Sequence, residues 1–131
     1  MTDPKYNLRP IIPTIVDNEG SSPEERFQNE VIRPIIKLQH ELLVCYFSYF
    51  VQQKKVNLDD LDLPKTVAFI SKSFKTDTNL KSNLKGLVIG MFTLDEFNVY
   101  LTMLNQLNKR ITTILESRII SVYEDKHLNR V

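Results

Sequence analysis

Apolar residues recur at helical spacing along most of this chain, and each run follows a short string that starts helices. Phe27, Val31, Ile35, Leu38, Leu42, Cys45 and Tyr49 come after Ser22-Pro23-Glu24-Glu25. Val67, Ile70 and Phe74 come after Leu63-Pro64, and Leu80, Leu84, Leu87, Val88 and Met91 come after Asp77-Thr78. Thr93-Leu94-Asp95-Glu96 precedes the longest pattern, which runs from Phe97 through Leu101, Leu104, Leu107, Ile111, Ile114, Leu115 and Ile119 to Val122. Serine, threonine or aspartate in such a place accepts from the free N–H groups of a first helical turn. A proline just inside loses nothing there, and a glutamate three residues on completes a capping box. No segment alternates as a strand does. The pattern predicts an all-α fold, a compact bundle of about five helices.

Punctuation refines the elements. Pro34 removes one hydrogen bond and its ring crowds the carbonyl of Glu30, which predicts a kinked continuous helix from Ser22 to Gln53, with two abutting helices as the alternative. Gly90 is expected near the end of the helix that Asp77 opens, in the left-handed conformation that commonly ends helices. Phe92 and Phe97 are spaced as a hydrophobic staple. Asn105 is expected to break the last pattern and cap a fresh helix. Residues 1–21 hold Pro4, Pro10, Pro13 and Gly20. They read as an extended N-terminal arm whose Ile11, Ile12 and Ile15 dock on the body or on a neighbouring subunit, and residues 22–131 read as a single helical domain.

Composition narrows the function classes. Seventeen basic residues against sixteen acidic ones leave a net +1, so no global field points at nucleic acid or an anionic membrane. The longest apolar run, Leu42 to Val51, spans ten positions. It is too short to cross a bilayer, and the N-terminus carries no apolar signal core. Without either, a cytoplasmic location is expected. The single cysteine, Cys45, excludes an internal disulfide framework and reads as a buried thiol.

No catalytic, cofactor or metal constellation stands out. Glu124 and His127 have the i, i+3 spacing that di-iron bundles use, but such bundles need that pair twice. The second histidine, His40, is far away, and with three glycines there is no phosphate loop. No catalytic residue, metal ligand or cofactor is assigned, and the chain leans away from being an enzyme.

Charge and aromatic patterning nominate three surfaces. Lys65, Lys72, Lys75, Lys81 and Lys85 face only Asp77 between positions 65 and 91. They suggest a helix pair able to contact phosphates or nucleic acid, although Asp59, Asp60 and Asp62 blunt the field and no arginine is present to read bases. Arg33 beside the Pro34 kink is a candidate anion contact. Tyr46, Phe47, Tyr49 and Phe50 crowd a segment that is apolar all round, which marks it as central to the bundle or buried in an oligomer.

Several strings resemble a family of small bacterial proteins often labelled glyoxalase. They are Phe27-Gln28-Asn29, Ile32-Arg33-Pro34-Ile35-Ile36-Lys37-Leu38-Gln39, Leu84-Lys85-Gly86-Leu87-Val88-Ile89-Gly90 with Phe92-Thr93-Leu94-Asp95-Glu96-Phe97, and Leu107-Asn108-Lys109-Arg110. The resemblance covers roughly residues 22–120. The label implies a metal-using glyoxalase-type enzyme, but the resemblance brings no functional residue with it.

The leading expectation is therefore a non-enzymatic helical interaction or structural protein that forms a homodimer, with other protein partners open and no membrane. The alternative is a nucleic-acid-associated or regulatory protein using the lysine-rich pair. The third is the enzyme that the family label implies.

Overall fold

A computed structural model describes residues 3–10 and 21–129, and every regular element among them is helical. A one-turn helix α1 (Pro4–Asn7) precedes α2 (Pro23–Phe27), a π-helical turn (Gln28–Ile32), α3 (Arg33–Leu38) and α4 (His40–Gln53). A 3-10 turn (Leu58–Asp60) then leads to α5 (Leu63–Thr76), α6 (Thr78–Ile89), α7 (Leu94–Thr102) and α8 (Leu104–Leu128). The fold is all-α.

The helix starts follow local chemistry. Ser22 Oγ, Asp62 Oδ1, Asp77 Oδ1 and Thr93 Oγ1 accept from the backbone N–H of Glu25, Lys65, Leu80 and Glu96, at 2.9 to 3.1 Å. Only Thr93 completes a reciprocal box, with Glu96 Oε1 accepting from the Thr93 N–H at 2.8 Å. At Ser22 only the serine half forms.

Helix ends depart from expectation in two places. Gly90 is right-handed, at φ −60° and ψ −16°. The left-handed residue is instead Lys55, at φ 57°. Here Val56 N–H donates to Val51 O and Lys55 N–H to Gln52 O, a Schellman closure of α4 with lysine where glycine is usual. The final pattern does break, but at Met103 (φ −132°, ψ 37°), two residues before Asn105.

Pro34 is accommodated by widening rather than by a simple kink. In the π turn the Arg33 N–H donates to Gln28 O, five residues back, so the chain enters the proline from a looser spiral. A second irregularity follows at Gln39 (φ −91°, ψ 8°), whose side chain donates to Leu87 O at 3.2 Å.

α8 is the spine. Leu107, Ile111, Leu115, Ile119 and Tyr123 recur every four residues and are all buried. Around them pack α4, α5, α6, α7 and the π turn. Of the two places expected for α4, the centre of the bundle or an oligomer interface, the structure does not give it the first, since it buries only Leu43, Phe47 and Val51. The true core stripe from the π turn through α3 to α4 reads Ile32, Ile36, His40, Leu43, Phe47, Val51, and the polar His40 in its middle masks it. The predicted stripe leaves the core after Ile35, so Leu38, Leu42 and Tyr49 are exposed.

Of the N-terminal arm, residues 3–10 are described, and they hold one turn of helix, α1, which Asp3 Oδ1 caps by accepting from the Lys5 N–H at 2.9 Å. This segment docks through polar groups. Lys5 Nζ donates to Phe92 O at 3.1 Å, and Arg9 donates to Met91 O and to both carboxylate oxygens of Glu96. Ile11, Ile12 and Ile15 lie outside the described residues.

Candidate functional site

The four aromatics nominated as an interface do not share one surface. Phe47 is fully buried, with ring centroids 5.7 to 6.2 Å from Phe50, Phe74 and Tyr123. Phe50 packs half-buried against Phe69 under the Lys54 ammonium. Tyr46 is half-buried and accepts a hydrogen bond from Asn83. Only Tyr49 faces out, at 56% exposure. It joins Leu38, Leu42 and Cys45, all exposed, at successive spacings of four, three and four residues. Cys45 was expected to be buried, and it is exposed because the bundle covers the opposite face of α4. A second apolar surface runs over α7 and its flanks, where Leu94, Val99, Leu101 and Leu104 are exposed.

The lysines also divide. Lys65 and Lys75 are exposed. Lys72 lines a cleft of about 290 Å³ with Phe50, Phe69 and Val56, where Lys54 pairs with Asp77 at 3.2 Å. The Asp77 carboxyl is held below its ordinary range, first by the Leu80 N–H and then by Lys54. Lys81 and Lys85 do come together, joined by Lys109 of α8, which the sequence reading passed over. These three line an open groove of about 470 Å³ with hydroxyls from Ser82 and Thr112.

Arg33 sits in a cleft of about 540 Å³ between the start of α3 and the outer face of α8. Arg118 and His40 line the same cleft. The Arg33 Nε donates to Asn29 Oδ1 at 3.1 Å, and Arg118 Nη1 lies 3.1 Å from His40 Nδ1. Arginine has only donors, so His40 Nδ1 is the acceptor in this contact. Burial lowers the Arg118 pKa, and the Arg33 charge lowers it further. Among the described residues no carboxylate forms an ion pair with either arginine. Thr113, Ser117, Ser121 and Asp125 line the cleft at four-residue steps along α8, so hydroxyls and one carboxylate alternate with the cationic side. Neighbouring contacts fix the wall, because Arg110 Nη1 donates to Gln28 Oε1 at 2.9 Å and ties the π turn to α8.

Arg118 and His40 were legible only in part. A single arginine in a long amphipathic helix carries no spacing signal, and its partners come from positions far away in the chain. His40 acts as an acceptor for a cation, an arrangement ill suited to binding a metal through Nδ1. Among the described residues, no three histidine, cysteine, aspartate or glutamate side chains gather as a metal site. None of the described helices is long and apolar enough to cross a membrane. Comparison of the chain with protein-family models, with curated proteins and with solved structures gives no match.

Proposed function

We propose that this protein acts by binding rather than by catalysis, as a helical interaction protein that pairs with a second copy of itself through the outer face of α4. The observation that supports this is the stripe Leu38, Leu42, Cys45, Tyr49, whose four-three-four spacing is that of a two-helix seam. A two-fold pairing counts each side chain twice. About half of each large side chain is already covered, so the gain is on the order of 5–9 kcal/mol. The cost of association starts at about 4 kcal/mol. The dimer is therefore weak. A free exposed thiol such as Cys45 stays reduced in the cytoplasm, which is where this reading puts the protein. Sedimentation equilibrium at hundreds of micromolar tests the pairing. Tyr49→Glu should give monomer with the helical signal intact, and a wild-type chain that is monomeric throughout refutes it.

A second reading has its own observation. Lys81, Lys85 and Lys109 line one groove, and lysines so placed suit phosphates of a nucleic acid. Binding that strengthens steeply as salt falls, with a log–log slope that flattens in Lys81→Gln, Lys85→Gln, Lys109→Gln, supports it. Absence of binding to duplex or single strands at about 50 mM salt retires it.

A further inference from the structure

We infer that the cleft between α3 and α8 is a binding site for a small phosphate monoester, with Arg33 and Arg118 holding the phosphoryl group. Two guanidinium groups line the cleft, one from α3 and one from α8, and neither is paired with a carboxylate among the described residues. Like charges brought together without a counterion are a cost the fold would relieve by separating the side chains, unless an anion joins them. Planar guanidinium forks match phosphate oxygens two at a time. His40 strengthens the case. It lines the same cleft with Nδ1 3.1 Å from Arg118 Nη1, so the Arg118 guanidinium is positioned by a side chain that brings no negative charge.

The rest of the cleft sets the ligand class. Two fixed positive charges match the dianion of a monoester better than the single charge of a phosphodiester or carboxylate. A cleft of about 540 Å³ is much larger than a phosphate ion, so an organic group accompanies it. That group meets Ile114 and Val122 on the apolar side and the hydroxyls of Thr113, Ser117 and Ser121 on the polar side. Asp125 stands at the same wall, where it repels a second anionic group and accepts from a hydroxyl of the ligand. A phosphorylated polyol or sugar fits these demands. The site does not overlap the outer face of α4 and does not depend on pairing.

Thermal melts and calorimetry on the full chain test the site, at matched ionic strength and pH 8, with inorganic phosphate, glucose 6-phosphate, succinate and sodium chloride. Phosphate and glucose 6-phosphate should raise the melting temperature, with glucose 6-phosphate binding more tightly. Succinate and chloride should not raise it. Arg33→Gln and Arg118→Gln should each weaken glucose 6-phosphate binding by about tenfold or more, the equivalent of one charge-assisted hydrogen bond. Lys85→Gln should leave it unchanged. Arg33 is exposed, so its variant should fold and, without ligand, should melt no lower than wild type because a repulsion has been removed. A lower melting temperature for unliganded Arg33→Gln would mark the pair as structural and overturn the site. So would equal stabilisation by succinate, or phosphate binding that depends on Lys85 rather than on the arginines.

Discussion

Arg9 grips Glu96 across eighty-seven positions of sequence, its two terminal nitrogens each donating to a different carboxylate oxygen. Glu96 is also the residue that closes the capping box of α7 on the Thr93 N–H. The N-terminal segment thus fastens the cap of a helix late in the chain. The Arg9 side chain is 4% exposed, so the pair is shielded from solvent on the arginine side.

Arg9→Ala should lower stability by about 3 kcal/mol, because it strands a partly buried carboxylate. Thr93→Ala should cost about 1 kcal/mol, the usual worth of a cap. Urea unfolding measures both. Equal losses would mean that Arg9 adds nothing beyond the cap.

Acid should loosen the same contact. Burial raises the Glu96 pKa, but hydrogen bonds from Arg9 and from the Thr93 backbone outweigh it, leaving the carboxyl below its ordinary value of 4.5. A depressed folded pKa means that the stabilisation is complete above that ordinary value and disappears as pH falls through the folded one. Wild type should therefore lose stability below about pH 4.5 faster than Glu96→Gln does. Parallel pH profiles for the two proteins would refute this.

Adjacent leucines on α4 should behave oppositely. Leu43 is 1% exposed and Leu42 is 49% exposed. Leu43→Ala should cost about 2–5 kcal/mol by opening a cavity. Leu42→Ala should stay within about 0.5 kcal/mol for the monomer. The Cys45 thiol on the same outer face should react with a disulfide reagent in the folded protein, more slowly as protein concentration rises and pairing covers it. Labelling that requires unfolding would contradict the exposed position.

Lys55→Gly should stabilise the protein by about 0.5–1 kcal/mol. The left-handed conformation strains any residue with a Cβ, although glycine returns part of the gain through a freer unfolded chain. A loss measured by denaturant titration would show that the lysine side chain matters more than its backbone.

Some of this architecture was readable from the residues alone. Capping at Ser22, Asp77 and Thr93 is decided within a few residues, so the starts of α2, α6 and α7 were visible, while α4 and α8 begin without a side-chain cap and left no such sign. Which side of α4 faces inward was not, because His40 interrupts the core stripe while Leu38, Leu42, Cys45 and Tyr49 present an unbroken apolar one. Arg33 could be singled out by its proline neighbour. Its companions could not, since Arg118 and His40 reach the cleft from elements seventy-eight residues apart. The grip of Arg9 on Glu96 was hidden for the same reason. A long-range polar contact leaves no periodic trace.

The π turn at Gln28–Ile32 has a consequence for chain length. It holds one residue more than an α-helical path would need between the same ends, so the helix carries a surplus. Each residue of an α-helix advances about 100°. Elsewhere in a helix the loss of one residue turns everything before it by about that angle. Removing the exposed Glu30 would instead let the path close into a regular spiral between the same ends, so Phe27, whose ring meets Phe92 edge-on at 5.5 Å, would keep its neighbour and Arg33 its place. The protein should thus tolerate the loss of a residue here that its regular helices would not.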